Sequence, residues 1–305
     1  MFDIASNPET KHGALRLQPP QAWADAFTPR LMLPTQSSLS LYLRGLLAVE
    51  VEPLGQPRLP IVPHESFSLF LQYPRQKGLG YSQATDGLHL HLSGLRESVT
   101  VLSPPGDCIT LFALLTPLGA AVLLRGQALL GQPRLRLPLA HLLDLDITRA
   151  LERRLADEPN PEQQLYLFAQ WIEQTVIARR GLPTGALRAA HLAMRLLDDP
   201  LLQVEEAAFT ERVARRQLER DLRRWFDVSP KQLAQIARVQ GVARLAARGL
   251  TLSATAAELG YADQSHMTRE IRRLTGVTPL SLIRSQSHAM ARAFRRLTGN
   301  GVVYL

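Results

Sequence analysis

The chain is poor in the residues that would make its chemistry obvious. Cys108 is its single cysteine in 305 residues, so neither a disulfide framework nor a cysteine-rich metal site can be built. A lone thiol in the apolar run GDCITLF reads as inert core, and one cysteine fits a reducing compartment. Long hydrophobic runs are missing too. The longest uncharged stretch, Cys108 to Leu124, is short for a membrane span and is broken by Pro117 and Gly119, so it is expected to be core. The start, MFDIASNPET, has no basic, apolar leader, and the expected location is the cytoplasm. No nucleophile elbow, phosphate-binding loop or paired-carboxylate motif is found, so no catalytic residue and no cofactor are expected.

What is present is unevenly placed. From Leu201 onward 17 basic side chains face 9 acidic ones, a surplus equal to the whole-chain net charge of +8. Residues 1–200 are therefore neutral overall. A uniformly basic surface would not segregate its charge this way, whereas a nucleic-acid-binding domain joined to a neutral partner would.

Within that basic third lies Gly260 to Pro279, GYADQSHMTREIRRLTGVTP. Gly260 can take the positive φ of a sharp turn between helices. Asp263 is a good N-cap, and Met267, Ile271 and Leu274 recur at helical spacing as one buried stripe. Gly276 suits the helix end and Pro279 opens the next element. The opposite face carries Ser265, Thr268, Arg269 and Arg272, with Gln264 at its edge and Arg273 on the flank. These side chains supply donors for base edges and phosphates, as a helix entering a DNA major groove requires. Arg269, and Arg220 further upstream, suit a guanine edge, since a guanidinium fork matches O6 and N7. His266 reads as an edge residue bonding backbone or phosphate.

The pattern Gly-Tyr-x-Asp-Gln-Ser-His-Met-x-Arg-x-Ile-Arg-Arg-x-x-Gly-Val-Thr-Pro resembles the signature of the AraC/XylS family of bacterial transcription regulators. Met267 and Ile271 stand where that family more often has Phe, and both remain apolar. The resemblance implies double-stranded DNA as a partner, RNA polymerase as another if the protein is an activator, and no enzymatic activity.

A shift of 49 residues lays Leu218 on Met267, Arg220 on Arg269, Leu222 on Ile271 and Val228-Ser229-Pro230 on Val277-Thr278-Pro279. Two helix-turn-helix units follow. The first is degenerate: Arg212 stands where the turn glycine is common and Ala214 where a capping Ser is common. Its outward face is Arg216, Glu219, Arg220 and Arg223. Dense guanidinium favours phosphate anchoring, so the first unit is expected to specify its half of the site more loosely. Glu219 could accept from a cytosine amine or pair with a neighbouring Arg. Ser229-Pro230 starts a linking helix to about Arg248, with Leu233, Ile236 and Leu245 inward and Gly249 as terminator.

Ahead of these units the texture changes. Leu39–Glu52, Ser66–Tyr73, Leu88–Leu92, Ser98–Leu102 and Cys108–Leu115 read as strands, followed by a short helix opened by Thr116-Pro117. Asn160-Pro161-x-Gln163 reads as a cap and capping-box partner for a helix striped by Leu165, Phe168, Ile172 and Val176. Such a stripe reads as intramolecular core, and the family resemblance makes the helix from Pro161 a candidate dimer surface as well. Ala186 to Leu197 reads as a helix with Leu187, Ala190, Met194 and Leu197 inward.

The expected class is α+β: an N-terminal small β-barrel or cupin-like domain (1–143), a helical linker or dimerisation segment (144–198) and an all-α DNA-binding domain (199–305). The cupin-like form is implied by the family resemblance, as is a small-molecule effector or homodimerisation through the first domain. The competing readings are an effector-independent regulator and a cupin-type metalloenzyme. For the latter, His89 and His91 alternate along one strand, with Glu97 or His64 available as a third ligand. The glycines and glutamate of the cupin motif are absent, however, and Leu88, Leu90 and Leu92 form the apolar face. No metal is expected there.

Overall fold

The computed structural model describes residues 27–32, 37–51, 59–61, 67–74, 90–95, 100–102, 108–124, 137–174, 181–284, 292, 293 and 296. His64, His89, Glu97, Val176 and the final TGNGVVYL lie outside them. The chain is α+β, with its described strands in the first half and a run of helices after them.

Strands β1 (Phe27–Met32), β2 (Leu43–Val51), β4 (Phe67–Pro74), β5 (His91–Ser93), β7 (Cys108–Leu115) and β8 (Leu137–Pro138) form one sheet in the order β1-β2-β7-β4-β5-β8. β3 (Leu59–Ile61) and β6 (Thr100–Leu102) pair separately. The described ladders are antiparallel and make two sheets rather than one closed barrel. β7 lies between β2 and β4, which explains its uncharged sequence: a central strand is covered on both faces. Cys108 is buried at its start, where the Gln72 amide lies 3.6 Å from the sulfur.

Leu39–Glu52 is not one strand. Helix α1 (Ser37–Ser40) precedes β2, and the β2–β7 register shifts between Leu43 and Gly45. β5 begins at His91, and His91 is half-buried with its ring stacked on Phe70 at 5.4 Å. Among the described residues no group of three or more His, Cys, Asp or Glu side chains is placed to hold a metal ion. Nor is any described helix long and apolar enough to cross a membrane.

Helix α2 (Pro117–Leu124) is capped as its sequence suggests, the Gly119 N–H donating to Thr116 Oγ1 at 3.0 Å. Its seat is unusually close. The Tyr42 carbonyl accepts from the Thr116 N–H at 3.0 Å, and a Cβ on Gly119 would stand 1.9 Å from that same oxygen. Only glycine lets the helix settle there.

α3 (Leu145–Asp157) and α4 (Pro161–Ile172) follow, and α4 packs on β1 and β2. Asn160 caps α4 by accepting from Glu162 N–H, not through a box with exposed Gln163. Gln164 is the buried amide instead, donating to the carbonyls of Leu155 and Glu158 at 2.8 and 2.7 Å. The apolar stripe of α4, Leu165, Phe168, Trp171 and Ile172, is buried within the chain. The stripe is thus intramolecular core.

α5 (Thr184–Asp198) packs on α2 and on two helices of the next region. Its inward residues are Ala186, Ala189, Ala190, Leu192, Ala193, Leu196 and Leu197, while Leu187 and Met194 are half-buried. The buried face is thus rotated from the expected one, because small alanines let α5 approach its neighbours closely. The remaining helices are α6 (Val204–Thr210), α7 (Arg215–Phe226), α8 (Pro230–Ala247), α9 (Leu252–Glu258), α10 (Gln264–Thr275) and α11 (Pro279–Arg284).

Among the described residues two apolar cores organise the fold. One runs from the sheet through α2–α7 to Ala237 in α8; the other takes Val239 to Leu245 of α8 with Tyr261, Met267, Ile271 and Leu282.

Gly119→Ala is expected to cost about 1–3 kcal/mol, since its methyl would meet a backbone carbonyl rather than a side chain that can swing away. Chemical denaturation will check it: an unchanged midpoint would mean that α2 does not sit on the Tyr42 carbonyl.

Candidate nucleic-acid interface

Each helix-turn-helix closes its turn with the same six-residue backbone bond. The Val213 N–H donates to Ala208 O at 3.0 Å in the first unit, and Tyr261 N–H to Ala256 O at 2.9 Å in the second. Both turns need a left-handed residue, Arg212 at φ 54° and Gly260 at φ 68°. Gly260 is also pressed by the first unit, where Leu201 Cδ2 lies 2.5 Å from the place of a Cβ. Arg212 pays the steric penalty that Gly260 avoids.

The recognition helices begin differently. Ala214 makes no side-chain cap to α7, whereas Asp263 accepts from the His266 N–H at 2.6 Å and closes the start of α10. That backbone bond is the main reason the Asp263 carboxyl is held below the ordinary Asp range. His266 folds back along the helix edge, its Nδ1 accepting from Ala262 N–H at 3.4 Å and its ring edge-on to Tyr261. α10 buries Met267, Ile271 and Thr275, with Leu274 half-buried. Thr275 takes the place expected for leucine because its hydroxyl donates to Ile271 O at 2.7 Å. α10 ends at Gly276 in the left-handed conformation.

The opposite faces are where the sequence places DNA contacts. Arg216, Arg220, Arg223, Gln264, Ser265, Arg269, Arg272 and Arg273 are exposed, and Glu219 and Thr268 are half-buried. The guanidinium groups of Arg216, Arg269, Arg272 and Arg273 make no hydrogen bond or ion pair with the described residues. Others are tethered. Arg220 donates to Gln217 Oε1 at 3.1 Å, and Arg223 lies 3.6 Å from Asp227 and donates to Gln232 at 3.4 Å. Glu219 accepts from Arg215 at 2.8 Å, which favours its charge-pairing role over a cytosine contact. Arg215 also pairs with Glu205, and these two carboxylates raise its pKa, Glu219 first.

On this face of the first unit lies an open cleft of about 590 Å³, lined by Arg215, Arg216, Glu219, Arg220, Arg223 and Lys231 together with apolar Leu196, Leu202, Val204 and Ala234. Lys231 and Arg215 were not among the expected contact residues. Lys231 follows Ser229 and Pro230 at the start of α8, where a full capping box forms. A cation immediately after a Ser-Pro helix start beside a recognition helix is the signal that could have found it.

Two helix-turn-helix units on one long helix, each with an exposed cationic and polar recognition face, define a DNA-binding module. Residues 207–285 match the family model described as "Helix-turn-helix domain". Residues 207–285 are therefore a helix-turn-helix domain. Among solved structures the chain is similar to ToxT from Vibrio cholerae, at 11% identity over 85% of this chain and 98% of that one, with a TM-score of 0.41. ToxT from strain SCE256 with an unsaturated fatty acid bound gives 13% identity over 83% and 95%, with a TM-score of 0.39. ToxT from strain O395 bound to a methylnaphthalenyl butenoic acid gives 11% over 90% and 100%, with a TM-score of 0.41. No curated protein matches the chain.

The first unit is open to improvement at the two places where it departs from the second. Ala214→Ser should stabilise the protein by about 1 kcal/mol through a restored cap. Arg212→Gly should add about 0.5–1 kcal/mol by relieving the left-handed side chain. Urea denaturation of the single variants measures both; destabilisation by either would mean that these side chains have roles beyond the turn.

The cap of α10 also predicts a pH dependence. A carboxyl held below its unfolded value stabilises the fold fully above the ordinary Asp pKa of about 3.9, and that contribution is lost as pH falls through the lower folded value. Replacing Asp263 with Asn keeps an acceptor but removes the titration. The variant's stability should therefore change less than the parent's between neutral pH and acid, and an equal change would show that this cap is not the titrating element.

Proposed function

We propose that the protein binds double-stranded DNA in the bacterial cytoplasm, with α7 and α10 in successive major grooves about 34 Å apart. The observation that carries this reading is the pairing of two equivalently built recognition helices on one rigid α8, each with its polar face uncovered. The contact set is Arg216, Glu219, Arg220, Arg223, Gln264, Ser265, Thr268, Arg269, Arg272 and Arg273, to which the cleft adds Lys231. Arg269 reads a base edge, since it is exposed and without an ion-pair partner among the described residues. Arg273, on the flank, anchors phosphate. Glu219 serves mainly to hold Arg215.

The second unit supplies the sharper half of the operator. Its turn and cap are intact, and its face mixes hydroxyl, amide and guanidinium groups. The N-terminal domain is the controlling half, acting through a small-molecule effector or self-association, and RNA polymerase contact follows where the protein activates. The protein performs no catalysis of its own. Control by the first domain is supported by the ring of Phe67 in β4, which lies 5.0 Å from that of Phe226 in α7: the sheet touches the back of a recognition helix.

Binding of the full chain to genomic DNA fragments should weaken steeply with salt, with a log–log slope of about 0.9 per phosphate neutralised. On the preferred site Arg269→Ala should cost about 1–3 kcal/mol and relax one base pair, while Arg273→Ala should weaken all sequences alike. Competition titrations at several salt concentrations test both. Salt-independent binding would contradict the phosphate-driven component, and a reversal of the two Arg effects would place the wrong face of α10 in the groove.

A further inference from the structure

The two units share a feature behind their recognition helices that the DNA contacts do not use. In the first, Asp221 sits on the inner flank of α7, 5% exposed. Its Oδ2 accepts from Arg188 of α5, at 2.8 Å from Nε and 2.7 Å from Nη2. Its Oδ1 accepts from the Gln217 amide one turn back, at 2.8 Å. The amide oxygen of Gln217 in turn accepts from Arg220 at 3.1 Å. The result is an unbroken chain from a helix outside the groove to a side chain inside it: Arg188, Asp221, Gln217, Arg220.

In the second unit the positions 49 residues on are Glu270 for Asp221 and His266 for Gln217. Glu270 accepts from Gln235 of α8 at 3.2 Å, and its other oxygen lies 3.7 Å from His266 Nε2. Each recognition helix is thus clasped from behind through an acid at the same place, by the helix that precedes its unit. The difference lies in the last link. His266 turns its Nδ1 to the backbone at Ala262 and has no bond to Arg269, while Gln217 presents an acceptor to Arg220.

We infer that Arg188, Asp221 and Gln217 form a positioning relay that fixes the guanidinium of Arg220 for one base pair, with no counterpart reaching Arg269. An amide needs both ends satisfied to hold a fixed orientation. Gln217 donates to a buried, ion-paired carboxylate, so its oxygen is left aimed outward at Arg220. A guanidinium with one N–H already held loses less rotamer freedom when it forks a base than a free one does. The first half of the operator, loose elsewhere, would then carry one sharply read pair. This inference rests on the DNA-binding reading above.

The test uses the full chain and a randomised duplex library. The pair read by Arg220 is first identified as the one whose preference vanishes in Arg220→Ala. Gln217→Met keeps the helix propensity and bulk of a half-buried position while removing both amide links. Preference at that pair is expected to fall about 5- to 10-fold, with affinity for an unrelated duplex held within about 2-fold and the melting temperature close to the parent's. On the Arg220→Ala background, Gln217→Met should add nothing at that pair. A uniform loss at all positions, or an unchanged preference at the Arg220 pair, overturns the relay. A parent chain that enriches no sequence from the library overturns the DNA-binding reading itself, which the relay result alone would not.

Discussion

The structure depends on one shared core. The apolar cluster that begins at the sheet does not stop at a domain edge but continues through α5 and α7 into the first half of α8, as far as Ala237. Phe67 and Phe226 meet inside it, both essentially inaccessible to solvent. The first recognition helix therefore has the N-terminal sheet as its backing, and its orientation cannot change without repacking that sheet. The second recognition helix has a separate core of its own and is joined to the first chiefly through α8. A close-packed interior transmits a shift in the sheet to α7 directly, and to α10 through the rigid helix and the Leu201–Gly260 contact.

α8 shows what that arrangement demands of a sequence. It buries Leu233, Ile236 and Ala237 in one core and Val239, Val242, Ala243 and Leu245 in the other. A helix gripped from two sides has no single apolar stripe, and buried Gln240 and Gly241 sit among its apolar residues. Gly241 is constrained by its neighbour, since Leu259 Cδ2 lies 2.6 Å from the place of a Cβ. The capping box of Ser229 and Gln232 fixes where this rod begins, and so fixes the register of everything hung on it.

The parts of the fold that could be read from the sequence are those where a local rule and the tertiary structure agree. Asp263, Ser229, Gly260 and Gly276 each satisfy a backbone group or a dihedral that no other nearby residue could, so their roles are visible one residue at a time. The limits of β7 follow from an uncharged run flanked by breakers. What could not be read was decided at a distance. Leu39 to Glu52 looks uniformly strand-like, but the Tyr42 carbonyl is claimed by Thr116, and the chain turns there. The face of α5 was misplaced because alanine carries little amphipathic signal: close approach to α7 and α8, rather than hydrophobicity, selects its inward side. On the recognition faces the exposed residues were legible from spacing, and so was the pairing of Glu219 with a neighbouring Arg, which Arg215 supplies one turn back. That Arg220 is held by Gln217 was not, because Gln217 is fixed by Asp221 and, through it, by a helix distant in sequence.

Alanine also hid where the repeat begins. Aligned through their buried positions, Ala186, Ala189 and Ala190 of α5 correspond to Leu233, Ile236 and Ala237 of α8, and in that alignment Arg188 falls on Gln235. Both are the residues that clasp the acid of a recognition helix. The offset between units grows from 47 residues in this first helix to 48 at the turn and 49 in the recognition helix, so no single shift of the sequence reveals all three. The repeating element is then a three-helix unit, α5–α7 and α8–α10, rather than a helix pair. In this reading α5, which a boundary after residue 198 assigns to a linker, is to the first unit what α8 is to the second. The same helix also touches α2, at the foot of the sheet. One element thereby carries the clasp on α7 and the contact with the N-terminal domain, and a displacement of α5 would reach Asp221, and with it the recognition helix, within a single side-chain length.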